Sequence, residues 1–451
     1  MGGGEDRISG LPDEVLHCIL VRLGSARAAA RTSMLSRRWR PVWTRLPELH
    51  LDGDEAPPLE PSFLDAVDAA LAAYSAPTLE LLEITIPDTS GLFVPAHCLV
   101  PWLRFASQRT VDALILRVPA RTRSFFMPEL DAEEAPEIDL PPCGAAKTIA
   151  LSLGGPWRIR LTGRVLCTIL VGCSELTAFV CTQCPLQREL ILCIALVATS
   201  DVSICSDSLH TLHLLVRNTR RLEIVAPKLE VMTMSISTEV HVSALKLAEI
   251  ALIWWADETY DPHRHHFDNV GQRLRLLDIS RESTAVFLMH HFVEVTELKV
   301  RISIANGIGG YERFLNETNK LPKCETLRII LLWNHHGLVP SIMHLLRHCS
   351  STRKLSVELS NSCDPLLIDD IALNSLEVVE ISSWARSPEE LEFVEQLSRC
   401  KAAVLKKLVI KDTKSRTTLT KSVCEMVRSV CRPDLKIKFY VLSGETLVRF
   451  D

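Results

Sequence analysis

The sequence has 451 residues, of which 47% are hydrophobic and 23% are charged. This composition is typical of a folded globular protein, and it excludes wholesale disorder and collagen-like structure. The formal net charge of −5 gives no general positive field, so we expect no nucleic acid as the main partner.

The first fifty residues predict short amphipathic helices. In Leu11–Leu23, LPDEVLHCILVRL, apolar residues fall at positions 15, 16, 19, 20 and 23, which is one helical stripe. The stretch at 35–43, LSRRWRPVW, repeats this pattern, and Pro41 predicts a bent or divided third helix. Three helices of this length rarely form a self-sufficient core. Their excess apolar surface must therefore be covered by a partner, or by a following repeat array that the helices cap.

Two acidic stretches interrupt the chain. The first, DGDEAPPLEP at 52–61, is rich in acids and prolines, a composition typical of an extended, solvated connector. We place a linker at 51–62. The second, ELDAEEAPEID at 129–139, has six carboxylates and no cation, so we interpret it as a solvated surface loop.

One apolar stretch, VLCTILVGCSELTAFVC at 165–181, imitates a membrane span. Its centre carries Glu175, and a carboxylate is costly in hydrocarbon. We interpret it as two buried elements joined by a turn, and we expect no membrane partner. The cysteines number 15, and no apolar h-region follows the opening MGGGEDRISG, which favours free thiols in a reducing compartment. We therefore expect a cytoplasmic or nuclear protein.

A phrase of mostly apolar residues at positions 1, 4 and 6 recurs along the second half of the chain, at intervals of 18 to 29 residues. The phrases are Leu209/Leu212/Leu214, Leu229/Met232/Met234, Leu247/Ile250/Leu252, Leu274/Leu277/Ile279, Val295/Leu298/Val300, Cys324/Leu327/Ile329, Thr352/Leu355/Val357, Leu376/Val379/Ile381 and Leu405/Leu408/Ile410. Positions 4 and 6 point inward from a strand, because side chains alternate across it. Stacked units would bury one another's edges. We predict an α/β fold with irregular leucine-rich repeats at 63–370 forming a curved solenoid, or horseshoe; the alternative is an ordinary mixed sheet.

The N-terminal residues resemble the F-box, in the form found in large plant families that append irregular leucine-rich repeats. The matching residues are Asp6, Arg7, Leu11, Pro12, Asp13, Leu16, Ile19, Leu20, Arg31, Thr32, Ser33, Leu35, Ser36, Arg37, Arg38, Trp39 and Trp43. The resemblance implies a three-helix F-box at 5–50.

The F-box resemblance implies that this protein is the substrate-recognition subunit of a Skp-cullin-F-box (SCF) type ubiquitin ligase. The helices would dock on a Skp-type adaptor, which brings the cullin and RING subunits, and the repeats would hold an unknown target protein. Such a subunit is no enzyme and needs no cofactor. The adaptor contacts that the resemblance carries over are Leu11, Pro12, Leu16, Ile19, Leu20, Leu35 and Trp39. The alternative is a repeat scaffold without a ligase role, capped by the helices.

The C-terminal region at 371–451 is similar to the FBD module that follows the repeats in many such plant proteins. Ser387, Pro388 and Glu390 predict a helix start with a capping box. Leu391, Val394 and Leu397 would then face inward. Residues 405–410 predict one more strand, and nothing in this region indicates chemistry.

Four tryptophans follow the strand phrases closely and are candidates for a target-binding or ligand-binding rim: Trp254, Trp255, Trp333 and Trp384. Aromatic side chains are frequent anchors in binding surfaces. Equally, they could fill wide gaps between irregular repeats.

Three patterns imitate chemical sites without meeting their requirements. The pair Cys181 and Cys184 lacks a second pair at zinc spacing. The run at 263–266, HRHH, lies in a polar stretch where solvated histidines are the ordinary outcome, although a metal-dependent enzyme stays the second alternative. Gly307 and Gly309 lack the third glycine of a phosphate-binding turn. We therefore predict no metal site.

Overall fold

The computed structural model describes residues 11–34, 37–53, 63–86, 94–118, 137–140, 146–156, 158–161, 187–235, 239–253, 264–280, 291–302, 312, 315–316, 318–331, 338–358, 375–382, 388–399, 404–412, 419–443 and 446–450. Within them the α-helices are α1 (Asp13–Val21), α2 (Ala26–Arg31), α3 (Trp39–Val42), α4 (Phe63–Ala73), α5 (Ala96–Arg109), α6 (Leu338–His348), α7 (Pro388–Arg399) and α8 (Lys421–Val430). Among these described helices, none is both long and apolar enough to cross a membrane.

The strands dominate the chain after α3. They are β1 (Glu48–Asp52), β2 (Leu79–Thr85), β3 (Thr110–Val118), β4 (Glu137–Leu140), β5 (Thr148–Pro156), β6 (Arg158–Leu161), β7 (Glu189–Cys205), β8 (Thr211–Val225), β9 (Val231–Ser235), β10 (Glu239–Ser243), β11 (Glu249–Ile253), β12 (His265–Asp268), β13 (Arg273–Ser280), β14 (Glu294–Ile302), β15 (Lys323–Leu331), β16 (Lys354–Glu358), β17 (Val378–Ser382), β18 (Lys407–Asp412), β19 (Lys436–Ser443) and β20 (Thr446–Phe450). The predicted α/β class with N-terminal helices is confirmed.

The first of two compact units, Met1–Leu245, is built on parallel strands. β1, β2, β3, β5, β7 and β8 pair in that order, and β8 continues to β9 through its first half and to β10 through its second half. One buried residue of each strand lies opposite the next, in the row Leu49, Leu82, Leu114, Ile149, Leu190, Leu212 and Met232. This row forms the centre of the unit's core.

The second unit, Lys246–Asp451, repeats the arrangement. β11, β13, β14, β15, β16, β17, β18 and β19 pair in parallel, and β20 returns antiparallel to β19. Position 4 of the predicted phrases is aligned across seven strands, as Ile250, Leu277, Leu298, Leu327, Leu355, Val379 and Leu408.

All three positions of all nine phrases are buried. Because the strands are parallel and in register, each inward side chain packs against the equivalent side chain of the next strand. This is the arrangement that stacked repeats require.

Helices connect the later strands of the second unit. α6 lies between β15 and β16, α7 between β17 and β18, and α8 between β18 and β19, as parallel pairing demands crossover connections. α7 begins at Pro388, and Val394 and Leu397 are buried, while Leu391 is half-buried. The predicted cap Ser387 lies outside the described residues.

The prediction of a surface loop at 129–139 is wrong for its last three residues. Glu137–Leu140 forms β4, which pairs in parallel with β6 in a separate two-stranded sheet. The register places Glu137 opposite Arg158 and Asp139 opposite Arg160. The acidic composition alone did not reveal that this segment pairs with another strand.

The last residues of the N-terminal helical segment are hydrogen-bonded to the first strand connection. Ser75 N donates to Thr44 O at 2.8 Å, and Glu80 N donates to Pro47 O at 2.8 Å. The buried Tyr74 hydroxyl lies 2.8 Å from Leu46 O and 2.9 Å from Thr78 O, and donates to these carbonyls. From the sequence we placed the end of the F-box at residue 50 and the start of the linker at residue 51. β1 (Glu48–Asp52) includes both residues, so the strand ladder begins directly after the helices. The domain limits themselves stay predictions.

Tyr74→Phe is expected to destabilise the first unit by about 1 kcal/mol at neutral pH, because Leu46 O and Thr78 O lose their shared donor. Burial raises the pKa of Tyr74 to about 12, and the nearby Arg109 guanidinium offsets part of that rise. An unfolded tyrosine ionises near pH 10, so the folded state holds an additional proton between pH 10 and 12. The wild type therefore loses stability as the pH rises through this window.

Phenylalanine cannot ionise, so the difference between wild type and Tyr74→Phe should narrow above pH 10. Urea unfolding of both proteins at neutral pH and above pH 10 measures this. A difference that stays constant with pH would contradict a buried, protonated Tyr74.

Candidate functional site

The helix α1 begins and ends with recognisable signals. Val15 N and Leu16 N each donate to Pro12 O at 3.1 Å, and Asp13 and Glu14 occupy the first turn, where the helix dipole favours acids. After α1, Gly24 adopts a φ of +66°, a conformation that glycine reaches without steric cost. Ser25 then caps α2 by accepting from Ala28 N at 3.2 Å.

The third helix is short. α3 has four residues and continues into a 3-10 turn at Trp43–Arg45. Pro41 stands in the first turn, where a missing backbone donor costs little. The helix therefore changes from α to 3-10 geometry two residues after Pro41, and the count of three helices stays a prediction.

One face of α1 forms the small core of the helical segment. Leu16 and Leu20 are 0% and 1% exposed, and they are buried together with Ala29 of α2 and with Trp39 and Val42 of α3.

Polar contacts add to this packing. His17 Nε2 lies 3.1 Å from Val42 O, and the Arg38 guanidinium donates to Leu11 O and to Asp13 Oδ1, the latter at 3.1 Å. These contacts fix the orientation of α1 relative to α3.

A neighbouring face of α1 carries apolar side chains that nothing in the described residues covers. Val15 and Ile19 are 41% and 39% exposed, and they are four residues apart, so they lie on one face of α1. Leu23, in the turn that follows α1, is 46% exposed. The exposed Pro12 precedes them at helical spacing. We call Pro12, Val15, Ile19 and Leu23 the outer stripe. Adjacent exposed apolar side chains of this kind make the outer stripe a candidate partner-binding surface.

The structure distributes the seven predicted adaptor contacts between two environments. Pro12 and Ile19 belong to the outer stripe, Leu11 is half-buried, and Leu16, Leu20 and Trp39 are buried in the core of the helices. Leu35 lies outside the described residues. The prediction did not include Val15 and Leu23, although both belong to the apolar pattern of α1.

The described residues contain no group of three or more His, Cys, Asp or Glu side chains placed to hold a metal. Of the histidine run, His265 is buried in β12 and His266 is exposed, and His263 lies outside the described residues. Other predicted site residues also lie outside the described residues. They are Cys181, Cys184, Gly307, Gly309 and the four candidate rim tryptophans, Trp254, Trp255, Trp333 and Trp384.

Comparison with known proteins identifies the helical segment. Residues 8–51 match the family described as F-box domain, which covers the helices α1 to α3, the outer stripe and most of β1.

Relatives with the same domain come from Arabidopsis thaliana. F-box protein At5g03100 is 29% identical over 202 residues, which are 42% of this chain and 61% of the relative. F-box/LRR-repeat protein At5g02910 is 43% identical over 76 residues, 17% of this chain and 15% of the relative. F-box/FBD/LRR-repeat protein At2g04230 is 36% identical over 118 residues, a quarter of each chain. The alignments thus span less than two thirds of each relative. This chain therefore carries an N-terminal F-box domain, and it is similar to plant F-box, F-box/LRR-repeat and F-box/FBD/LRR-repeat proteins.

Proposed function

We propose that this protein is the substrate-recognition subunit of an SCF-type ubiquitin ligase. One observation carries the proposal: the segment that matches the F-box domain keeps an apolar stripe exposed on its first helix. An amphipathic helix that presents anchors at a spacing of four residues suits a hydrophobic groove on a partner. In this role the partner is the Skp-type adaptor, and the cullin and RING subunits follow through it.

The outer stripe is the proposed contact surface. Pro12, Val15, Ile19 and Leu23 are accessible without any change in α1, whereas Leu16, Leu20 and Trp39 hold the helices together. Residues that are fully buried in their own domain stabilise the surface rather than touch the partner. We therefore assign the first group to binding and the second to folding.

The aligned parallel strands are the proposed target-binding part. We interpret the strand ladder of each unit as irregular leucine-rich repeats, because the phrase positions are buried and in register. The target would be held on these repeats, and the contribution to catalysis would be proximity to a ubiquitin-charged enzyme. Binding by the rim Trp254, Trp255, Trp333 and Trp384 stays part of this proposal.

The proposed location is the cytosol, the nucleus or both. The described cysteines, Cys18, Cys98, Cys205, Cys324, Cys349, Cys424 and Cys431, are free thiols. Free thiols persist in these reducing compartments.

The deciding experiment uses the full chain with a purified plant Skp-type adaptor. Isothermal titration calorimetry should give a saturable one-to-one complex, and cullin should be captured by this chain only when the adaptor is present. Absence of any adaptor complex, with a correctly folded chain by circular dichroism, would refute the ligase function.

The second candidate is a repeat scaffold in which the helices serve only as a cap. The hydrogen bonds from Ser75 and Glu80 to Thr44 and Pro47 favour it, because they attach the helical segment to the strand ladder within the first unit. These contacts involve residues 44–47, whereas the outer stripe lies at 12–23. The scaffold function predicts no adaptor binding, so the same titration separates the two candidates.

A further inference from the structure

Outward-facing charges on the second unit follow a regular pairing pattern. On each strand, the residues next to positions 4 and 6 lie on the side of the strand opposite to those two positions, although Val409 of β18 is buried there. Five cations at such positions contact a carboxylate on a neighbouring strand: Lys299 and Arg301 with Asp278, Arg328 with Glu297, and Lys354 and Lys411 with Glu380. Ion pairs of this kind between neighbouring strands recur from β13 to β18.

The pattern stops at the last parallel pair. Lys407 of β18 and Lys436 and Lys438 of β19 stand at the equivalent outward positions, and none of them forms an ion pair within the described residues. Lys407 and Lys436 are direct register partners, so their Cα atoms are about 4.8 Å apart. Like charges directly opposite each other on neighbouring strands destabilise a sheet, and a ligand of opposite charge would relieve that repulsion.

Apolar side chains extend the same face of β19. Tyr440 and Leu442 follow Lys436 and Lys438 at alternating positions, and Leu447 of β20 is the register partner of Leu442. Leu442 and Leu447 are 36% and 41% exposed, and Tyr440 is half-buried. The face therefore passes from three lysines without an ion pair among the described residues to a small apolar surface.

We propose that Lys407, Lys436 and Lys438, together with Tyr440 and Leu442, form a docking strip for an extended acidic segment of a partner protein. We call these five residues the lysine strip. Acidic side chains would pair with the three ammonium groups, and apolar side chains of the same segment would pack on Tyr440 and Leu442. The inference rests on the proposed function in one respect: the partner is the protein that the repeats hold.

Two features favour an acidic protein segment over a nucleic acid. The net charge of the chain is −5, so the lysines act as a local patch rather than as part of a broad positive field. The exposed leucines beside them are suited to aliphatic side chains, whereas single-stranded nucleic acids require stacking surfaces in a basic groove.

Fluorescence anisotropy with the full chain tests the lysine strip. The probe is a fluorescein-labelled peptide of repeating Asp-Leu-Glu-Ser, and a repeating Lys-Leu-Arg-Ser peptide is the charge control. The acidic peptide should bind and the basic peptide should not. The triple variant Lys407→Gln, Lys436→Gln, Lys438→Gln should weaken binding about tenfold or more, since three charge-assisted contacts are lost.

A matched variant removes the same charge elsewhere in the second unit. The matched triple variant changes three exposed lysines outside the lysine strip, Lys246→Gln, Lys320→Gln and Lys421→Gln. This variant should bind the acidic peptide like the wild type. If both triple variants bound the acidic peptide equally weakly, the loss of affinity would come from net charge alone, and the lysine strip would be refuted as a site. Failure of the wild type to bind the acidic peptide would overturn it too.

A labelled oligouridine in the same assay separates the other class of ligand. If the RNA bound more tightly than the acidic peptide and lost binding in the strip variant, the lysine strip would be a nucleic-acid site and the proposal would be wrong. Adaptor titration of the strip variant keeps the two proposals apart. If the wild type binds the adaptor but not the acidic peptide, only the lysine-strip proposal is refuted. If it binds the peptide but not the adaptor, only the ligase function is refuted.

Discussion

Replacing Val15 and Ile19 together by glutamate is expected to abolish binding to a Skp-type adaptor while the helices stay folded. Both side chains are about 40% exposed on α1, so the carboxylates remain solvated in the free protein. In a complex they would be buried against an apolar groove, where an unpaired charge is very costly. Loss of each anchor costs about 2 kcal/mol or more, which is at least about 30-fold in Kd. Calorimetric titration of wild type and variant with the adaptor measures this.

A matched control places the same change on exposed apolar residues outside the helices. Val111→Glu with Leu245→Glu replaces side chains that are 36% and 72% exposed, and this variant should bind the adaptor like the wild type. Thermal unfolding should be similar for all three proteins, because substitutions at exposed positions usually change stability by less than about 0.5 kcal/mol. Full adaptor affinity in the Val15→Glu, Ile19→Glu protein would refute the outer stripe as the contact surface.

Replacing Leu298 by alanine is expected to destabilise the second unit by about 3 kcal/mol, the usual cost of a large buried cavity. Leu298 is 0% exposed and lies between Leu277 and Leu327 in the aligned row of the core. Because each strand is buried by its two neighbours, a cavity there weakens contacts on both sides. The change should appear as a lower urea midpoint, followed by circular dichroism.

Val293→Ala is the control for this cavity, because Val293 directly precedes the same strand and is 57% exposed. It should change the free energy of unfolding by less than about 0.5 kcal/mol. The Leu298→Ala protein should still bind the adaptor, since the outer stripe lies in the first unit. Equal stability of the two variants would contradict the placement of Leu298 at the centre of the core.

The candidate site was only partly predictable from the sequence. The apolar residues of α1 at positions 15, 16, 19, 20 and 23 form one wide stripe, and both halves of such a stripe look alike in a helical projection. The structure divides it: Leu16 and Leu20 are covered by α2 and α3, and Val15, Ile19 and Leu23 are not. The packing angle of three short helices made this division, and no local pattern encodes that angle.

The ion pairs between strands could not be predicted from the sequence for a similar reason. Asp278 and Lys299 are 21 residues apart, and Glu380 and Lys411 are 31 residues apart, yet each pair is in contact. The partner of a charged residue depends on the register between parallel strands, which is fixed by the length of the intervening connections. That Lys407, Lys436 and Lys438 form no ion pair with the described part of the chain became visible only in the folded sheet.

The sequence by itself determined the α/β class, the helical start and the buried positions of all nine strand phrases. These follow from periodicity, because the spacing of apolar residues fixes which side of a helix or strand can be buried. Tertiary structure alone decided which apolar face of α1 remains exposed, where the strand ladder begins, and which lysines of the second unit have no carboxylate partner within the described ranges. Those outcomes depend on contacts between residues that are distant in the chain, and the relative placement of such residues is set by packing and register rather than by local spacing.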